Sequence, residues 1–238
     1  MKVLLIGSGA REHAIAWKLR QTLDKDDLYI APGNPGTAEL GANLAISADD
    51  LDGLQQAVVD NSIDFTIVGP EGPLEKGLVD AFTAMGHLIF GPTKAAARVE
   101  TSKAFAKELM LRYHIPTAWA TAHTDSDSAK VAISATNLPV VIKADGLAAG
   151  KGVVVCHTQE DAFQVVDDYL ESKTLGEAGA TVLVENFLDG REVSVFGFTD
   201  GRNISRLVAA CDYKRLGDGD VGPNTGGMGS YSPPSYWD

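Results

Sequence analysis

The chain has 238 residues, 45% of them hydrophobic and 22% charged, which is enough apolar content for a sizeable core and too much for global disorder. Acidic residues outnumber basic ones 32 to 20, and the formal charge of -12 weighs against a general binder of nucleic acid or anionic membrane. At this length two domains are expected. The apolar run from Val3 to Ile6 is too short for a signal-peptide core and no stretch reaches membrane-spanning length, so the chain reads as cytoplasmic. Cys156 and Cys211 lack metal-ligand spacing and read as two buried thiols of a reducing compartment.

Apolar runs "VLLIG", "LYIAPG", "IDFTIVGP" and "HLIFGP" each end in Gly or Pro. Helical patterns separate them, in "REHAIAWKLR", "LDGLQQAVVDNS" and "PLEKGLVDAFTAMG". Strands alternating with helices predict βαβ units in a parallel sheet, with a site at the strands' C-terminal ends. After Pro92 the rhythm changes. One helix is predicted over "ETSKAFAKELMLRYH" and another near "DSAKVAISA". The β-rich runs "LPVVIKA" and "GVVVC" are joined by so short a link that they must form an antiparallel hairpin. "TQEDAFQVVDDYLES" predicts a helix capped by Thr158, and strands follow in "ATVLVENF", "EVSVFGFT" and "RLVAA". This second part reads as α+β. The domains are therefore placed at 1–100 and 101–238, with a lid subdomain at about 116–190.

The opening "GSGAREHA" invites comparison with a dinucleotide fingerprint. Gly7 and Gly9 fit G-x-G-x-x-G, but Glu12 stands at the third glycine, and "APGNPGT" lacks the acid that would meet a ribose. NAD and FAD are excluded on both counts. What remains is a glycine turn at a helix N-terminus, able to hold one phosphate with Arg11 as a charged donor, or an unliganded tight turn. "DGLAAGKG" fails as a Walker loop: three residues, not four, separate Gly146 from Gly150, Gly152 replaces the hydroxyl, and the loop joins two strands. Its glycines and the bracketing Lys143 and Lys151 still suit phosphates, although an ordinary flexible hairpin fits equally. Glu185 and Glu192 flank a bend and suit ribose hydroxyls, or are exposed strand-end charges. "DYKRLGDGDVGPNTGGMGSYSPP" reads as turn-rich, with Asp218 and Asp220 in a solvated turn rather than a metal loop.

Taken together, "GSGAREHA", "APGNPGT", "IVGPEGPL", "FGPTKAAARVETSKAFAK", "VIKADGLAAGKGVVV", "ENFLDGREVS" and "GPNTGGMGSYSP" closely resemble one family. It is that of the phosphoribosylamine–glycine ligases (glycinamide ribonucleotide synthetases) of the ATP-grasp superfamily. The resemblance implies a parallel-sheet, Rossmann-like first domain followed by an incomplete α+β ATP-grasp domain. It implies that ATP phosphorylates glycine and that 5-phosphoribosylamine attacks the glycyl phosphate, giving glycinamide ribonucleotide, ADP and phosphate in purine synthesis.

Carried over by position, the resemblance gives Lys103 and Lys143 to the ATP phosphates and Asp145, Gly146, Gly150, Lys151 and Gly152 to a lid hairpin. Glu185, Asn186, Phe187 and Leu188 become the adenine hinge, and Glu192 the ribose acid. Gly9, Arg11, Glu12, Asn34, Gly36 and Glu71 become the sugar-phosphate pocket. Lys214, Arg215 and Asn224 are implied at the reaction centre, beside Thr225, Gly226, Gly227 and Met228. Magnesium or manganese is implied too, with ligands in a segment the family carries beyond residue 238. The chain then reads as an N-terminal fragment that does not turn over by itself. Rival readings are an ATP-grasp ligase for another carboxylate and amine, and a non-catalytic nucleotide-binding fragment.

Overall fold

The computed structural model describes residues 1–148, 152–219 and 221–237, with residue 224 described by its backbone alone. Gly150, Lys151 and Asp220 lie outside the described residues. The chain divides into two compact units, Met1–Ala106 and Lys107–Asp238. No helix among the described residues is long and apolar enough to cross a membrane.

In the first unit, strand β1 (Val3–Gly7) is followed by helix α1 (Ala10–Leu19), β2 (Leu28–Pro32), the short α2 (Thr37–Leu40) and β3 (Ala42–Asn43). Next come α3 (Leu51–Asp60), β4 (Phe65–Val68), α4 (Glu71–Lys76), α5 (Leu78–Ala84), β5 (Leu88–Phe90) and α6 (Lys94–Thr101). All five strands are parallel, in the order β3-β2-β1-β4-β5. Every residue of β1 is buried, and the two-residue period of a strand sends alternate side chains into different cores. Val3 and Leu5 pack with Ala16, Leu28 and Ile30 on one face. On the other, Leu4 and Ile6 pack with Leu54, Val58, Leu78 and Phe82. A central strand with helices on both faces explains why "VLLIG" is a continuous apolar run rather than an alternating one.

The second unit begins within α7 (Lys103–Arg112) and continues through β6 (Ala120–His123), α8 (Ser126–Ser134), β7 (Val140–Ala144), β8 (Val153–Cys156), α9 (Gln159–Leu170) and β9 (Val182–Asn186). These strands form an antiparallel sheet in the order β6-β9-β7-β8. Thr158 caps α9, accepting the Asp161 N–H at 3.1 Å. The remaining strands are β10 (Ser194–Phe196), β11 (Val208–Gly217) and β12 (Val221–Tyr231), antiparallel in that order.

Several sequence expectations are corrected. "PLEKGLVDAFTAMG" is two helices, because Gly77 adopts φ 91° between α4 and α5, a conformation open to glycine. "ETSKAFAKELMLRYH" breaks at Ser102, whose extended backbone (φ -134°) separates α6 from α7. The segment read as turn-rich is mostly the β11–β12 hairpin. Its register shifts between Tyr213 and Arg215 and between Arg215 and Gly217, and such irregularities accommodate a glycine-rich strand whose sequence looks like loop. Cys156 is buried, but Cys211 is only half-buried on β11, and both are free thiols. Strand β3, two residues long, carries too little pattern to be read in advance.

Candidate functional site

The first group of candidate residues gathers at the C-terminal ends of β1, β2 and β4. Strand order reverses between β1 and β4, and open parallel sheets bind ligands at such a point. Glu12 fills this crevice from below. It is 3% exposed, and its carboxylate accepts the Gly9 N–H at 2.7 Å and Arg11 Nε at 2.9 Å. A Cβ added at Gly7 would lie 2.5 Å from Glu12 Cγ, and one at Gly69 only 2.2 Å from Glu12 Oε1. The residue at the third fingerprint position thus needs two glycines to make room for it.

Arg11 also reaches Glu71 at 3.7 Å. Asn34 ties the second loop to the first, donating to the Ser8 carbonyl at 2.9 Å while its Oδ1 accepts the Thr37 N–H at 3.0 Å. Gly36 lies against His13, since a Cβ there would sit 2.3 Å from the ring. All six predicted residues of this pocket lie in the first unit. The charge is not what the sequence reading assumed: one guanidinium stands between two carboxylates, and the helix-end N–H of Gly9 is already taken by Glu12.

In the second unit the strand period again divides labour. Val140, Ile142, Ala144, Val182 and Val184 face a core with Ala129, Ile133, Ala162 and Val166. Lys143 pairs with Leu183 and Val141 with Glu185, so Lys143 and Glu185 share the opposite face. Lys143 Nζ approaches Glu185 Oε2 at 2.7 Å. The approach lies off hydrogen-bond geometry, leaving Oε2 without a hydrogen bond among the described residues, so the contact is an ion pair. Lys107 Nζ donates to Glu185 Oε1 at 2.9 Å. Glu185 is 6% exposed, which removes the reading of it as an exposed strand-end charge: a buried carboxylate needs such partners. Lys107 was missed by sequence reasoning. The available signal was its place four residues after Lys103, on the same side of one helix.

The hairpin expected to form a lid is anchored at Asp145 and Gly146. Asp145 N–H donates to Thr181 O at 2.9 Å and Gly146 N–H to Ala178 O at 3.1 Å. Gly146 permits this approach, for a Cβ would stand 2.9 Å from the Ala178 backbone. At the end of β9, Asn186 N–H donates to Trp119 O at 3.0 Å, while Phe187 and Leu188, just past the strand, are exposed. Glu192 Oε1 lies 3.4 Å from Lys214 Nζ, and Lys214 also stands 3.7 Å from Asp212. Arg215 donates to Gly222 O at 2.7 Å, and its backbone pairs with Asn224. Thr225 Oγ1 accepts the Gly227 N–H at 3.0 Å, a Cβ built on Gly226 would meet no described atom within 4 Å other than those of its chain neighbours, and Met228 is exposed. Lys103 opens α7 in the first unit.

Residues 1–100 match the family model of the phosphoribosylglycinamide synthetase N domain, and residues 101–237 that of the phosphoribosylglycinamide synthetase ATP-grasp (A) domain. The chain belongs to the phosphoribosylglycinamide synthetase family. Phosphoribosylamine–glycine ligase of Xanthomonas axonopodis pv. citri is 50% identical over 235 residues, 98% of this chain and 54% of that protein. The enzyme of that name from Halalkalibacterium halodurans is 49% identical over 239 residues, all of this chain and 56% of its own. The crystal structure of phosphoribosylamine–glycine ligase from Thermotoga maritima superposes with TM-score 0.82 at 33% identity, over 97% of this chain and 55% of that one. A biotin carboxylase–β,γ-ATP complex from Campylobacter jejuni (TM-score 0.69, 18% identity, 90% of this chain and 52% of that one) shares the fold alone. The chain spans about half the length of the curated relatives it matches.

Proposed function

We propose that this chain provides the nucleotide-binding and ribosylamine-binding parts of a ligase that joins glycine to 5-phosphoribosylamine at the expense of ATP. The observation that supports it is the match, in order and nearly end to end, to both domains of one synthetase family. A carboxylate is a poor electrophile until it gains a phosphate leaving group, so such an enzyme works mainly by positioning and by neutralising charge. Lys103 and Lys143 take the ATP phosphates, the hairpin from Asp145 to Gly152 closes over them, and the main chain from Glu185 to Leu188 meets adenine while the Glu185 side chain stays with the lysines. Glu192 takes the ribose, while Lys214, Arg215 and Asn224, with Thr225 to Met228, line the reacting groups.

The first loop is assigned differently from its sequence reading. Two carboxylates around Arg11 suit the hydroxyls and amine of phosphoribosylamine better than its phosphate, because a dianion would meet net negative charge there. ATP-grasp chemistry uses a divalent metal, of which magnesium and manganese are the expected forms. Among the described residues no group of three or more His, Cys, Asp or Glu stands together as a metal site.

The test incubates the intact protein with ATP, divalent metal, glycine and freshly generated phosphoribosylamine. ADP is expected only when both acceptor and donor are present. ADP release that needs a different carboxylate or amine would replace this reading with that of another ATP-grasp ligase.

A further inference from the structure

The ammonium of Lys107 is fully used. It donates to Thr117 Oγ1 at 2.6 Å, to the Ala118 carbonyl at 2.9 Å and to Glu185 Oε1 at 2.9 Å. Its side chain is 13% exposed, against 27% for Lys143. Each oxygen of one buried carboxylate therefore faces a different lysine. Were Glu185 to face Lys143 alone, the pair would be formally neutral, and a nucleotide phosphate would meet a lysine whose charge is already balanced. With Lys107 in place the three groups sum to +1, and the more exposed member is Lys143. Three hydrogen bonds hold Lys107, so the carboxylate it grips is held as well, and with it the place where the Lys143 ammonium stands.

We infer that Lys107 is a positioning residue for nucleotide-phosphate binding: by engaging Glu185 it leaves Lys143 a net positive charge and fixes its ammonium. Lys107 has no proton left for a ligand and acts only through Glu185. The inference rests on the reading of Lys143 as a phosphate-binding lysine.

ATP affinity of the intact protein, measured by calorimetry at fixed metal and salt, tests it. Lys107→Gln keeps a donor near Glu185 and removes the charge. It should weaken ATP binding on the order of tenfold, while Lys107→Arg should stay within about threefold of the parent. The deciding variant is Lys107→Gln with Glu185→Gln, which removes the carboxylate facing Lys143 together with its second lysine, keeps the Glu185 main chain, and restores the +1 balance. It should recover most of the lost affinity. A purely structural Lys107 gives the opposite result, because the double variant loses more native contacts and would bind no better than the single one. If Lys107→Gln alone fails to fold, the double variant carries the test. It leaves no carboxylate unpaired, and binding tenfold weaker than the parent overturns the inference. Lys143→Ala separates the two failures. Unchanged ATP affinity there removes the reading of the site, whereas a loss there with parental affinity in Lys107→Gln removes only the role of Lys107.

Discussion

At the scale of single residues, the two candidate regions are each organised around one buried glutamate. Glu185 holds Lys143 on the face of β7 and β9 that looks away from the hydrophobic core. If Lys143 takes the proposed ATP-phosphate role, Lys143→Ala should remove one charge-assisted contact, a loss of about 1.5–3 kcal/mol or roughly 10–100-fold in affinity. Titration with ATP, beside a thermal scan showing that the variant still unfolds cooperatively, checks this; parental affinity would place the Lys143 side chain away from the nucleotide. Glu12 plays the corresponding part in the first unit, beneath Gly7, Gly9 and Gly69. In Gly69→Ala the new methyl would overlap the Glu12 carboxylate, which the Gly9 N–H and Arg11 hold in place. Displacing it should cost about 1–3 kcal/mol, whereas Gly226→Ala, with open space around it, should stay within about 0.5 kcal/mol. Urea unfolding of the two variants side by side gives the comparison, and equal stabilities would contradict the packing of Glu12.

Among the elements, α8 and α9 cover the core face of the four-stranded sheet and are tied to each other by Asp167. Lys130 Nζ donates to its Oδ2 at 2.8 Å, and Ser126 donates to its Oδ1. The Lys130 hydrogen bond, then that from Ser126, holds the Asp167 carboxyl below its ordinary value of 3.8. A depressed folded-state value means the ion contributes stability above the unfolded value and loses it as pH falls through the folded one. Asp167→Asn should therefore lower the melting temperature at neutral pH, and its deficit should shrink to nothing as the pH drops below 3.8 and on through that lower folded value. Melting curves across that range test it. A deficit that persists in strong acid would assign the effect to geometry rather than charge. Much of this layer was legible in advance, since the α9 cap at Thr158 and the β7–β8 hairpin both follow from local spacing. The β11–β12 hairpin was not, because glycine supplies no side-chain period and only pairing with a neighbour makes such a segment a strand.

For the whole molecule, the decisive feature is that each compact unit has its own buried cluster. Phe82, fully buried, packs with Leu4, Ile6, Leu54 and Leu78, while Ile142 packs with Ile133, Val166 and Val184 in the second unit. Phe82→Ala should cost about 3–5 kcal/mol, and that loss should fall on the first unit. Hydrogen exchange followed by mass spectrometry should show amides of β1, β4 and β5 exchanging faster, with β7 and β9 protected as before. Equal loss of protection in both units would mean they unfold as one.

The sequence by itself determined the parallel sheet, the hairpin around Lys143 and, through its motifs, the family. These follow from periodicity, short links and glycine spacing, all local properties that neighbouring residues fix together. Only the tertiary structure decided what the glutamates do. Glu12 and Glu185 look alike in sequence to exposed acids at the ends of strands and helices, and burial turns one into the filling beneath a glycine loop and the other into a bridge between two lysines. Lys107 became visible for the same reason: its partners Thr117, Ala118 and Glu185 lie 10, 11 and 78 residues away. A charge's role depends on which other charges and donors share its low-dielectric surroundings, and spacing along the chain does not encode that when the partners come from separate elements.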